Sequence, residues 1–171
     1  MTIRKILTEP NKLLRQISET VKKVGDVEKK LMDDMLDTMY EAPGIGLAAV
    51  QVGVPKRIIV MDISRDENNK EPRYFVNPVI KNKNKEKSTY EEGCLSVPDQ
   101  FAEIERPNSC EVEYLDYDGK KQILKAEGLL ATCIQHEMDH LEGILFIDYL
   151  SKLKKSMIIK KLSKIKTNRE I

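Results

Sequence analysis

Net charge is almost absent from this sequence: 29 Lys and Arg face 28 Asp and Glu, a balance of +1 over 171 residues. That excludes a uniformly basic nucleic-acid binder, so any basic patch must be local. Long apolar runs are missing too. No stretch approaches the ~20 residues that cross a bilayer, and Met1-Thr2-Ile3-Arg4-Lys5 leads into no signal-peptide core. Cysteine is sparse: Cys94, Cys110 and Cys133 are odd in number and widely spaced, which is no disulfide framework and points to a reducing compartment. The expectation is a soluble, cytoplasmic protein whose thiols are free to bind metal. What is present, 40% hydrophobic and 33% charged residues, excludes a disordered chain and suffices for one domain spanning 1–171.

Ile3, Ile6 and Leu7, then Pro10 and the run Leu13, Leu14 and Ile17, suggest an arm followed by one helical piece. Asp26 can cap a helix carrying Val27, Leu31, Met32, Met35, Leu36 and Met39, a spacing of three and four that stops at Pro43-Gly44. Its methionines fall on the apolar stripe and read as core filler. The glycine-rich, uncharged stretch from Gly44 to Gly53 is no phosphate loop: it lacks a Lys-Ser/Thr ending, does not complete Gly-x-Gly-x-x-Gly, and follows a helix. A tight turn and a buried segment remain, and there Gln51 must find hydrogen-bond partners or lose about 1–3 kcal/mol.

Strand-like runs follow at 57–63, at 74–80 with Pro78 implying an edge or a bulge, and at 85–91. A hairpin pairs 109–117 with 121–125 through Asp118-Gly119, with Cys110, Val112 and Tyr114 on one face, which makes Cys110 a core residue. A helix then runs from about 127 to 141. The fold is predicted as α+β, with antiparallel strands packed around that central helix. The tail from 152 to 171 predicts a basic amphipathic helix, with Leu153, Met157, Ile158, Leu162 and Ile165 at helical spacing. A stripe packed on the domain is favoured there over RNA or ribosome docking, for which clustered cations alone suffice.

The chemistry gathers in the central helix, at Gln135-His136-Glu137-Met138-Asp139-His140. His136 and His140 are the only two histidines, and their spacing puts both imidazoles on one helix face, as a metal needs. Glu137 stands where His-Glu-x-x-His hydrolases place the carboxylate that takes a proton from the attacking water. A catalytic metal usually has a third protein ligand. Glu142 points about 200° away from His140. Cys133 lies about 7.5 Å along the axis from a metal held between the histidines, beyond a thiolate bond of about 2.3 Å. With Cys110 in the core, Cys94 in Glu92-Gly93-Cys94-Leu95-Ser96 is the favoured third ligand. An amide such as Gln51 could then donate to the oxyanion formed when water attacks a carbonyl.

Three stretches, in order, resemble the signature motifs of the peptide deformylase family. Gly44 to Gln51 is similar to Gly-x-Gly-x-Ala-Ala-x-Gln, Glu92 to Ser96 to Glu-Gly-Cys-Leu-Ser, and Gln135 to His140 to Gln-His-Glu-x-Asp-His. The likeness extends over Ile6 to Val21 and to the basic C-terminal helix of bacterial members. It implies Cys94, His136 and His140 as ligands of one divalent metal, Fe2+ natively, with Zn2+, Ni2+ or Co2+ able to occupy the site. It also implies Glu137 as general base, and the Gln51 amide and the Leu95 backbone N–H as oxyanion donors. The implied reaction removes the N-formyl group from the formylmethionine of nascent peptides and releases formate. Substrate-binding positions carried over are Ile45, Gly46, Tyr90, Glu92, Gly93, Thr132 and Cys133. Phe101 stands where some members carry arginine. Asp139 has two readings, a pair with Arg106 that orients the site or a surface pair. A monomer is expected, with the ribosome surface as a partner only under the minority reading of the tail. The competing expectations are a His-Glu-x-x-His metallopeptidase, which leaves Cys94 unexplained, and a non-enzymatic, metal-stabilised RNA-binding module, which would need a fourth ligand.

Overall fold

The computed structural model describes residues 2–169, with side chains through residue 165; Met1, Glu170 and Ile171 lie outside the described residues. The arm ends in a short 3-10 helix, Lys12–Arg15, and leads to α1 (Asp26–Glu41). The cap of α1 is Gly25 rather than Asp26: the Gly25 N–H donates to Glu28 Oε2 at 3.0 Å, and Asp26 and Glu28 place negative charge at the positive end of the helix. Leu31, Met32, Met35 and Met39 form the buried stripe, while Val27 is 70% exposed and lies off it.

Five strands form one antiparallel sheet, in the order β1 (Gly46–Ala48), β2 (Ile58–Met61), β3 (Arg73–Lys83), β6 (Ser109–Leu115), β7 (Lys121–Glu127). β4 (Lys87–Cys94) and β5 (Val97–Pro107) form a separate pair. The apolar run of β2 is buried on both faces, because alternate residues point to opposite sides. Ile59 and Met61 pack with Cys133, Ile134 and Leu141 of α2 (Gly128–Leu141), whereas Ile58 and Val60 pack with the methionines of α1. The sheet is thus covered by α2 on one face and α1 on the other, with Cys110 in the α2-side core as expected. The architecture is the predicted α+β arrangement around α2.

Pro78 sits inside the sheet rather than at its edge. The β3–β6 register slips between Val76 and Val79, Asn77 takes a φ of 51°, and its side chain exchanges two 2.8 Å hydrogen bonds with the Val21 backbone, so proline falls in a bulge that demands no ladder donor. β5 was not expected from the sequence, because Pro98 argues against continued pairing. It is tolerated because the register slips from Gly93↔Phe101 to Cys94↔Val97, leaving Pro98 in a bulge of β5 that also holds Asp99 at φ 60°.

After a 3-10 turn, Phe146–Tyr149, the chain ends in α3 (Lys152–Arg169). The packed stripe of α3 is narrower than expected. Leu162 is buried with Ile158 and Ile159 against Leu145, Phe146 and Ile147, but Leu153 and Met157 stay exposed. Among the described residues no helix is long and apolar enough to cross a membrane.

Candidate metal centre

α2 carries the chemistry, and its two ends fix its place. Its first residue, Gly128, donates its N–H to the Asn108 carbonyl at 3.1 Å, and its last turn closes on Gly143, whose N–H reaches the His140 carbonyl at 3.1 Å. Gly143 has a φ of 72°, and a Cβ there would collide with the Arg15 backbone, so only glycine lets the arm pass beneath the helix end. Between these ends Gln135, His136, Glu137 and His140 are all buried.

β4 delivers Cys94 to the two histidines. Its Sγ lies 3.4 Å from His140 Nε2, and the ligand atoms of Cys94, His136 and His140 all lie within 4.8 Å of one another. His136 Nδ1 lies 2.9 Å from Glu92 Oε1. Burial works to raise the Glu92 pKa, but His136 and Arg106 outweigh it and hold the group below the usual carboxylate range. Glu92 is therefore an acceptor and His136 presents Nδ1–H to it. Burial works to lower the His136 pKa, but the Cys94 and Glu92 side chains outweigh it and raise it well above the ordinary histidine value, so a metal at Nε2 would take the place of a proton. Burial lowers the pKa of His140 well below the ordinary histidine value, and the neighbouring His136 adds to that effect.

Arg106 grips Glu92 with two bonds, Nε to Oε2 at 2.7 Å and Nη2 to Oε1 at 3.0 Å, and reaches Asp139 through Nη1 at 2.8 Å. The Arg106–Asp139 pair is no surface pair, since Arg106 is buried. Glu92, placed by resemblance among the substrate-binding positions, has both oxygens engaged by Arg106 and His136. Nothing in its motif alone signalled that supporting role.

Glu137 is fully enclosed. Desolvation, opposed by the charge of His136, pushes its pKa up to about 7, and its Oε2 has no hydrogen-bond partner among the described residues. β1 runs close to it: a Cβ on Gly46 would sit 2.8 Å from Glu137 Oε1 and 3.1 Å from Cys133 Sγ. The Cys133 thiol is pushed well above its ordinary pKa, first by burial and then by Glu137, so it stays protonated and is a poor ligand. Gln51, 1% exposed, has the partners its burial demands. Its Oε1 accepts from the Ala48 N–H at 2.9 Å, and its Nε2 donates to Ser96 Oγ at 2.9 Å while lying 3.5 Å from Cys94 Sγ.

Leu95 follows Cys94 in the β4–β5 turn and packs on Gly44. Ile45 packs into the same core as Cys133. Thr132 is buried, with a hydroxyl that has no hydrogen-bond partner among the described residues, and the Tyr90 hydroxyl reaches the start of α2 near Gly128, beside a cavity of about 390 Å3 that Asn84, Ser88 and Asn108 also line. Phe101, 65% exposed, pairs with Gly93 across β4 and β5.

Residues 3–156 match the family model for polypeptide deformylase. The chain belongs to the peptide deformylase family. It is 84% identical over 171 residues to the peptide deformylase of Pelagibacter ubique (strain HTCC1062), covering 100% of this chain and 99% of that one. Among solved structures it is similar to the peptide deformylase of Ehrlichia chaffeensis, with a TM-score of 0.94 at 45% identity over 99% of this chain and 100% of that chain. A structure of the deformylase from that organism in complex with actinonin gives a TM-score of 0.90 at 48% identity, over 96% and 98% of the two chains. Deformylases are metal-dependent, and the Cys-His-His cluster suits a metal: two nitrogens and one sulfur converge, with His136 Nδ1 already tied back.

Proposed function

We propose that this deformylase hydrolyses the N-formyl group of nascent peptides that begin with formylmethionine, using Cys94, His136 and His140 to hold one divalent metal. The observation that carries the assignment is the cluster itself. Three donor atoms lie within 4.8 Å, with no fourth His, Cys or carboxylate ligand joining them among the described residues, and Glu137 follows the first histidine. Three protein ligands leave a position for water, which is a catalytic arrangement and not a structural one. That favours hydrolysis over the RNA-binding alternative, and Cys94 as the third ligand favours a deformylase over a His-Glu-x-x-His metallopeptidase.

When bound, the metal supplies Lewis acidity, lowering the pKa of a water and polarising the formyl oxygen. The protein's own groups do the rest. The Glu137 carboxylate takes the proton of the attacking water as its oxygen bonds to the formyl carbon. It then gives that proton to the departing nitrogen as the C–N bond breaks, so the products are formate and a free amino terminus. Burial, which raises the carboxyl above its ordinary value, favours its taking up the proton in the first step and holding it until the second. Gln51 Nε2, fixed by Ser96, and the Leu95 N–H hold the developing oxyanion. Loss of one such donor typically costs roughly 2.7–4 kcal/mol.

The substrate backbone extends along β1 at Gly46, which is an edge strand of the five-stranded sheet and can accept a further strand. Its methionine side chain enters beside Ile45 and Cys133, with Tyr90, Glu92, Gly93 and Thr132 around that space. The native metal is Fe2+, replaceable by Zn2+, Ni2+ or Co2+. Residues 1–171 act as a single catalytic domain, a cytoplasmic monomer. The exposed lysines 152, 154, 160, 161 and 164 of α3 give the chain a face for the ribosome surface.

The test is metal content measured beside turnover under anaerobic conditions, on a formylated dipeptide and on an unblocked peptide. Formate release from the first alone, with one metal per chain, is expected. Cleavage of the unblocked peptide without formate release would make the chain a metallopeptidase. Activity that is stable in air with tightly bound zinc would overturn the assignment of iron.

A further inference from the structure

We infer that Tyr149, some distance from the reacting atoms, is a positioning residue for His136. The Tyr149 hydroxyl donates to Asp139 Oδ2 at 2.7 Å, the same oxygen that takes Arg106 Nη1 at 2.8 Å. The Arg106 guanidinium also lies 4.9 Å from the centroid of the Tyr149 ring, so tyrosine holds it by a face as well as through Asp139. From Arg106 two bonds run to Glu92, and from Glu92 one runs to His136 Nδ1. An unbroken chain of charge-assisted bonds therefore leads from Tyr149 to the imidazole, and each bond restricts the rotation of the next group.

Burial does not force this arrangement, because Tyr149 is 51% exposed and its hydroxyl could be satisfied by water. The 3-10 turn that carries it also carries Phe146, whose ring stacks on His136 with centroids 6.1 Å apart and planes 26° apart. One short turn thus reaches the same histidine twice, directly through Phe146 and indirectly through Tyr149. His140 is held differently: its Nδ1 is buried and has no hydrogen-bond partner among the described residues.

The inference rests on the assignment of His136 as a metal ligand. Its test uses the full-length chain loaded with Co2+, as wild type and as Tyr149→Phe and Tyr149→Ala. The readouts are the rate of cobalt release to a chelator, the visible cobalt absorption, the melting temperature, and kcat and KM on a formylated dipeptide. Loss of an outer partner of a ligating histidine typically costs about 10–100-fold in metal affinity. Tyr149 lies further out, so the expected acceleration of release is about 3- to 10-fold for Tyr149→Phe, with more for Tyr149→Ala, which also uncovers Arg106. The cobalt bands should shift, and kcat should fall while KM holds. Wild-type release rates and an unshifted spectrum in Tyr149→Phe would overturn the inference, as would a lowered melting temperature with the spectrum unchanged. Should Tyr149→Ala fail to fold, the Phe variant decides alone. A wild-type cobalt spectrum without a thiolate band would instead sink the ligand assignment, and the inference with it.

Discussion

Helices α1 and α2 cover opposite faces of one sheet and bury different chemistry. α1 buries Leu31, Met32, Met35 and Met39, and its two buried polar residues are served close by: Thr38 donates to the Asp34 carbonyl at 2.6 Å, and Asp34 pairs with Lys30 one turn away and with Arg4 of the arm. α2 buries His136, Glu137 and His140, and His136 finds its 2.9 Å hydrogen-bond partner on another element, at Glu92. Glu137 Oε2 and His140 Nδ1 are not answered among the described residues. A buried polar atom without a partner costs about 1–3 kcal/mol. Stability alone would not select such a helix, so α1 holds the fold while α2 accepts a cost for its chemistry.

Substitutions should break the two helices in different currencies. Glu137→Ala should lower turnover by about 10²–10⁴-fold, the range for a lost general base, while metal content is kept and stability is unchanged or raised. Formate release and metal analysis on the same preparation check this, and full activity would refute the assigned role. Cys94→Ser should strip metal far more than Cys110→Ser or Cys133→Ser, because the other two thiols are buried away from the cluster or held protonated; equal losses across all three would be incompatible with the ligand set. Met35→Ala on α1 should do the reverse, costing about 2–5 kcal/mol of stability in denaturant titration with metal content unaltered. A metal loss comparable to that of Cys94→Ser would erase the distinction between the helices.

The same contrast explains what could be read from the sequence. The α1 stripe and the pair His136 and His140 are local patterns, visible as spacing along one helix. Cys94 was reachable because few thiols compete and helix geometry removes Cys133. Contacts that depend on strand register were not reachable. Glu92 reaches His136 across 44 residues and Arg106 across 14, and no periodicity announces that all three meet. β5 escaped because Pro98 is a sound signal against pairing unless a bulge absorbs it, and bulges leave little trace in composition. Val27, Leu153 and Met157 show the opposite failure: they keep helical spacing, but Val27 lies off the buried stripe of α1, and the first two turns of α3 extend beyond the core that would cover Leu153 and Met157.

Acid sharpens the comparison most gently, through Asp34. Burial pushes its pKa up, but Lys30 Nζ at 2.6 Å and Arg4 Nη2 at 3.0 Å outweigh that, and the folded group titrates below its ordinary value. A carboxylate with a depressed folded pKa adds stability above its unfolded value of about 3.9 and loses it as pH falls through the folded value. The melting temperature of Asp34→Asn should therefore lie below that of wild type at pH 7 and pH 5, and the gap should narrow by pH 3. A gap that stays constant to pH 3 would mean that shape and not charge holds Asp34. At neutral pH the variant should keep its full complement of metal, because the ion pairs of α1 lie across the sheet from the cluster that α2 carries.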